Sequence, residues 1–325
     1  MPSDAQGFLG GHIERLLPAG CVDTTHPTAN STTQEVIAHH REGCRAIPYD
    51  STIAQQGRDL DLVDAQSFLR SIGVQEHEPR TSPFDTGYGV STLAEHMEQS
   101  SHLMASIKLS MACWLVADQK ATKKKLDLAR DYGVTAVAGG SLFEISAVTG
   151  VLDAYLELCA DVGFGRIECG EGFTGTDLDA GRTMQAVRSQ GLACQYELGG
   201  KHSGPLTNQE LDSWLKHALD WLEAGAEQVV VEARESARGV GLFDDQGGLN
   251  GALADRIAEV VGFSKAVFEA PTKYSQFALL NHFGPEVRLS NVRLEELLRV
   301  EIYRKGLHSD AFGEPRLTPS PPSEK

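Results

Sequence analysis

Positive charge is scarce in this sequence: 29 Lys and Arg stand against 45 Asp and Glu, a formal net charge of -16 at pH 7. Nucleic acid and anionic membrane surfaces recruit cationic faces, so neither is expected as a partner. A small anionic ligand would need a locally basic pocket. Long apolar runs are missing as well. Stretches such as Val229–Val231 fall far short of the roughly 20 residues that a bilayer-spanning helix needs. The first residues show no basic-then-apolar secretion pattern, which leads to the expectation of a cytoplasmic protein. The six cysteines, Cys21, Cys44, Cys113, Cys159, Cys169 and Cys194, include no CxxC pair and no Cys/His spacing suited to zinc. They read as reduced packing thiols, and Cys169 stands out only for its place at an expected strand end.

What is present is enough apolar material for one large core: 325 residues, 41% of them hydrophobic. From about Leu103 to Val292 one pattern recurs, an amphipathic stretch, a glycine, then an apolar run that ends in charge or glycine. The glycines are Gly133, Gly163, Gly191, Gly225 and Gly262, spaced at the length of a strand plus a helical crossover. Parallel strands joined by helices follow, in a barrel or a doubly wound sheet. The expected strands are Leu103–Ser110, Thr135–Gly139, Arg166–Cys169, Ala193–Leu198, Gln228–Ala233, Ala266–Glu269 and Val287–Asn291. A weaker eighth lies at Thr81–Asp85, before a helix at Thr92–Gln99. Among the helices, Thr122–Tyr132 carries Lys123, Lys124 and Lys125 as a solvated face. Thr207–Ala224 opens with a capping box from Thr207 and Glu210 and sets Trp214 and Trp221 on one buried stripe. Residues 1–78 do not join this rhythm and hold helical pieces at Ile13–Leu17, Gln34–His40 and Leu62–Ile72. The tail from Gly313 is rich in Pro and Ser and reads as disordered.

The strand ends carry charge: Lys108, Glu168, Glu197, Glu232, Arg234 and Glu269, with Asp85 on the weak first strand. By the period of two, Val230, Glu232 and Arg234 share one side. Burying a lone charge is costly, so carboxylates interleaved with Lys and Arg read as a metal and anion site, or else as structural ion pairs closing a barrel rim. Two glycine-rich segments, Gly139–Glu144 and Ala237–Gly248, follow strands and offer backbone amides of the kind that cradle phosphate. Neither is a Walker or dinucleotide fingerprint. Arg234, Ser236 and Arg238 beside the second add side chains suited to phosphate.

The segments KLS (Lys108–Ser110), GGSLFE (Gly139–Glu144), YELGGK (Tyr196–Lys201), VEARESARGVGLFD (Val231–Asp244), FEAP (Phe268–Pro271), FGPEVRLSNV (Phe283–Val292) and RKGLHSDAF (Arg304–Phe312) together resemble the phosphosulfolactate synthase family, in order and spacing, from about Pro79 to Phe312. The resemblance implies a (β/α)8 TIM barrel over residues 79–312, with 1–78 as an N-terminal extension and 313–325 as a tail. It also implies Mg2+-assisted addition of sulfite to C3 of phosphoenolpyruvate, giving 2-phospho-3-sulfolactate. Under it Glu168, Glu197 and Glu232 hold the metal, and Lys201, with Lys108 as second choice, protonates C2. A lysine set among cations would have its pKa lowered toward working pH. Arg234, Arg238, Ser236 and the Gly239–Gly241 turn would hold phosphate, and Asn291 would add a polar contact. A homo-oligomer is expected. Three departures stand out. Thr86 and Gly200 occupy positions where the family reads lysine, and Gly170, Glu171 and Gly172 replace its Ser-Asp-Gly. Sulfite needs cationic neighbours, so a thiol nucleophile, a different enol acceptor, or a non-catalytic stress-associated role remain open alternatives.

Overall fold

The structure, a computed structural model, describes residues 64–201 and 204–319, all within a compact unit spanning Leu62–Lys325. The helical pieces expected at Ile13–Leu17 and Gln34–His40 lie outside the described residues, as do Cys21 and Cys44. The strands are β1 (Thr81–Asp85), β2 (Ile107–Leu109), β3 (Ala136–Ala138), β4 (Arg166–Gly170), β5 (Ala193–Leu198), β6 (Gln228–Val231), β7 (Ala266–Glu269) and β8 (Arg288–Arg293). They pair in sequence order, all parallel, and β8 closes onto β1. The fold is therefore a (β/α)8 barrel and not an open doubly wound sheet. Around it run α1 (Ala65–Ser71), α2 (Val90–Ser100), α3 (Cys113–Val116), α4 (Gln119–Asp131), α5 (Gly140–Val148) and α6 (Leu152–Val162). They are followed by α7 (Ala180–Ser189), α8 (Asn208–Ala224), α9 (Gly251–Val261), α10 (Lys273–Phe283) and α11 (Leu297–Arg304).

Strand alternation divides the side chains between two environments. Ile107, Ile167, Cys194, Val229 and Phe268 face the helices and join one continuous apolar core. Their neighbours Lys108, Glu168 and Glu269 meet one another across the barrel from β2, β4 and β7. The glycine rhythm has its expected cause: Gly133, Gly163, Gly191, Gly225 and Gly262 all take positive φ at helix C-termini. The capping box of α8 is formed by Thr207 and Glu210.

Several local expectations are corrected. The weak strand is β1, buried along its whole length. Its signal is faint because Pro83 lacks an N–H, and the register with β8 shifts between Ser82 and Pro83. Leu103–Ser106 is not a continuous strand: a 3-10 turn at Ser101–Leu103 leads in, Met104 makes an isolated bridge to Thr81, and β2 starts at Ile107. Of the lysine run on α4, Lys125 is buried, because its Nζ lies 2.7 Å from the fully buried carboxylate of Asp85. Trp221 is buried and stacks on Tyr196, whereas Trp214 is only partly covered. Part of the expected disordered tail is packed: Leu317 is buried, and the Arg316 guanidinium donates to the carbonyl of His282. Residues 320–325 lie outside the described residues.

Candidate active site

At the C-terminal ends of the strands the barrel opens into a cavity of about 760 Å3. Lys108, Glu168, Glu197, Lys201, Glu232, Arg234, Ser236, Arg238, Gly239 and Asn291 all line it. Gly241 does not. It lies under the wall with φ +56, where an added Cβ would sit 2.2 Å from the Glu232 carbonyl oxygen, so only glycine lets the turn pass beneath that strand end. Asp85 is also outside the cavity, its carboxylate spent on Lys125 and on the backbone N–H groups of Gly87 and Tyr88.

The carboxylates divide into two kinds. Glu168 is saturated by donors: Lys108 Nζ at 3.1 and 3.2 Å, the Gly140 amide at 3.1 Å and Gln195 Nε2 at 2.7 Å. Burial alone would raise its pKa, but Lys108, Lys201 and these hydrogen bonds outweigh it and hold the group below its ordinary range. Glu197, Glu232 and Glu269 instead bring carboxylate oxygens within 4.8 Å of one another, all three residues buried. Burial, then the charges of Glu168 and Glu269, push Glu197 up to about 7. Burial, then Glu269 and Glu197, push Glu232 up to about 10. The oxygens near enough to share a cation are therefore those of Glu197, Glu232 and Glu269, although Glu269 also accepts from Lys108, Asn291 and the Ala233 amide. Glu197 Oε2 is buried without an aligned hydrogen bond among the described residues, although Lys201 Nζ lies 3.0 Å away as an ion pair. A trio of hard oxygen donors with a surplus of negative charge fits a divalent cation such as Mg2+.

The lysines differ from expectation in their surroundings. Lys201 sits among carboxylates and not among cations, with Glu197 at 3.0 Å, Glu232 at 3.8 Å and the Ser141 hydroxyl accepting at 3.3 Å. Burial would lower its pKa, but Glu197, Glu232 and Glu168 prevail and hold it above its ordinary value. Lys108 is raised in the same way, burial being overcome by Glu168, Glu269 and Glu197. Both carry their protons at neutral pH.

The loops are held by backbone. Strand β6 stops at Val231, and Arg234 takes φ 55, so the period-two placement of Glu232 and Arg234 on one side does not extend past the strand end. Arg234 still faces the cavity, with Nη1 donating to the Lys201 carbonyl at 2.6 Å and its amide to Glu232 at 2.5 Å. Met111, Ala237 and Asn291 are the other non-glycine residues with positive φ among those described. Met111 and Asn291 line the mouth, and Ala237 sits in the loop that walls it. The amides of Gly239, Val240 and Gly241 donate to the carbonyls of Asp244, Phe243 and Gly204, so this turn offers Arg238 and Ser236 side chains to the cavity and not a nest of open amides. After β4, an added Cβ on Gly172 would sit 2.5 Å from the Gly199 carbonyl, and the Gly172 carbonyl accepts from the Lys201 amide at 3.0 Å.

Three contributors are not marked as site residues in the sequence, and a fourth, Glu269, stands among the charged strand ends without a named role. Glu269 was visible as a strand-end acid. Gln195 was hidden inside an apolar run. Ser141 and Glu144 lay within the GGSLFE segment, but their roles depend on contacts distant in sequence: Glu144 accepts from the amides of Phe173 and Thr174. Cys169 is fully buried beside Cys194 and outside the cavity.

A closed barrel with acids, lysines and arginines converging on one mouth defines an enzyme of the (β/α)8 class. Residues 75–310 match the (2R)-phospho-3-sulfolactate synthase (ComA) family, and the chain belongs to that family. It is 29% identical over 235 residues to the phosphosulfolactate synthase of Methanocaldococcus jannaschii, covering 72% of this chain and 94% of that protein. With the phosphosulfolactate synthase of Bacillus subtilis it shares 26% identity over 250 residues, 75% of this chain and 98% of that one. Among solved structures, the carboxyl transferase domain from Rhizobium etli pyruvate carboxylase with 3-bromopyruvate superposes with a TM-score of 0.51 at 13% identity, over 80% of this chain and 49% of that chain, which is a likeness of fold. No helix among the described residues is long and apolar enough to cross a membrane.

Proposed function

We propose that the protein adds sulfite through its sulfur to C3 of phosphoenolpyruvate, giving 2-phospho-3-sulfolactate, with Mg2+ held by Glu197, Glu232 and Glu269. The observation that carries this reading is the buried carboxylate trio beside two protonated lysines and an arginine rim in one cavity. The names of the related synthases support the substrate pair. The sulfur lone pair forms the C–S bond as the C2=C3 electrons move toward the substrate carboxylate, and C2 then takes a proton. A bound divalent cation would supply Lewis-acid stabilisation of the negative charge that develops on that carboxylate. Lys201, held protonated by its acidic neighbours, stands in the cavity wall as the donor to C2, and Lys108 braces Glu168 and Glu269 from below. Arg234, Arg238 and Ser236 would take the phosphate, because guanidinium groups bind its oxygens through two bonds. Asn291, whose amide donates to Glu269, fixes that carboxylate.

One observation favours a larger nucleophile, such as a thiol, as a second reading. The 760 Å3 cavity is of the size that ordinarily takes a drug-sized ligand. Incubation with phosphoenolpyruvate, Mg2+ and either sulfite or small thiols, followed by mass spectrometry, separates the two. A sulfite adduct supports the first reading and a thiol adduct alone supports the second. No adduct with any nucleophile removes both. We further propose a cytoplasmic homo-oligomer, supported by the acidic composition and by exposed Leu115, Val116, Val148 and Val151. Gel filtration at the monomer mass would exclude the assembly.

A further inference from the structure

The barrel has a second charged end. At the foot, where the strands begin, Arg80 just before β1, Arg166 opening β4 and Arg288 opening β8 converge on a polar cavity of about 80 Å3, together with Ser82, Ser106 and Gln228. Two of these arginines have a single acid each: Arg80 pairs with Glu286 and Arg166 with Glu227, both acids about half exposed. Arg288 has no carboxylate in ion-pairing contact among the described residues. The Nε atoms of all three are buried and lack a hydrogen-bond partner among the described residues. Burial, then the charge of Arg80 and more weakly that of Arg166, pull Arg288 below its ordinary pKa against the opposing charges of Glu78 and Glu286, so the guanidinium groups sit in one another's field. A partly buried guanidinium beside two others, with no carboxylate in direct contact, is stabilised when a counter-charge enters the space. A polar space of about 80 Å3 has room for an ion of three or four oxygens.

We propose that the barrel foot binds one small inorganic oxyanion of the phosphate or sulfate class through Arg80, Arg166 and Arg288, apart from the substrate cavity at the mouth. The ion supplies the counter-charge that Arg288 lacks in direct contact and ties β4 to the paired β1 and β8 across the barrel foot.

Thermal unfolding of the full chain tests this, with inorganic phosphate or sulfate compared against chloride at matched ionic strength. Both oxyanions also stabilise proteins nonspecifically, so the measurement is the difference between variants. The wild type and the mouth variant Arg238→Gln should gain roughly 2 to 6 °C more from the oxyanion than Arg288→Gln or Arg166→Gln. In chloride alone Arg288→Gln should be at least as stable as the wild type, since removing one guanidinium relieves repulsion. Equal gains in all four proteins would overturn the proposal, and so would a gain lost only in Arg238→Gln. Should a foot variant fail to fold, crystals of the wild type grown with selenate decide. An anomalous peak beside Arg288 supports the site, and a foot without one refutes it.

Discussion

At the scale of single residues, the buried pair of Lys125 and Asp85 is the clearest case of a charge whose removal has a predictable sign. Asp85 is fully buried, with one oxygen on Lys125 and the other on two backbone amides. Lys125→Met leaves half of that carboxylate unpaired, at a cost of about 3 kcal/mol. A fall in Tm of roughly 6 to 12 °C follows for a chain of this size. The double variant with Asp85→Asn should recover most of it, and a single variant as stable as the wild type would show the pair to be idle. The carboxylate trio gives a pH signature. Glu197 at about 7 and Glu232 at about 10 lie above the ordinary carboxylate range. Their contribution is therefore intact below the unfolded-state pKa and drains away as pH rises through the folded-state values. In chelator, the wild-type Tm should decline between about pH 5 and pH 10, Glu232→Gln should flatten the decline, and added Mg2+ should restore more at the alkaline end. Identical slopes for the two proteins would contradict the clustering.

At the scale of elements, the mouth is shaped by loops that touch backbone to backbone. The segment after β4 crosses the segment after β5 so closely that Gly172 faces the Gly199 carbonyl, and the same crossing fixes the Lys201 amide. A methyl group at Gly172 must separate the two loops and move Lys201. Displacements on the order of 1 Å at a reacting group cost up to about 100-fold in rate. Gly172→Ala is thus expected to lower kcat between about 10- and 100-fold while the far-ultraviolet circular dichroism stays unchanged. An unaltered kcat would mean that Lys201 is not held by this crossing or does not take part.

For the whole molecule, the barrel was legible because its helices end on glycines and its strands are apolar runs of the right length, and both signals are local. β1 was faint because Pro83 and its bulge blur the pattern. The acids at the strand ends were legible one by one. Their grouping was not, since Glu168 and Glu269 look alike in sequence and differ only in which donors reach them from other strands. Lys125 misled because a run of three lysines says nothing of the buried aspartate 40 residues earlier. The arginines of the foot, at strand starts and far apart in the chain, carried no local sign at all.

The left-handed backbone at Met111, Arg234, Ala237 and Asn291 has a bearing on how the molecule breathes. Each such residue holds about 1 to 3 kcal/mol of strain that only the intact surroundings can maintain. Amide hydrogen exchange should therefore find the mouth opening earlier and more often than the middles of the strands, with ligand slowing it. Uniform protection from rim to floor would show that the strain is not stored there. If the mouth does open first, wear begins at the working end: on prolonged warming, turnover should fade while the barrel still stands.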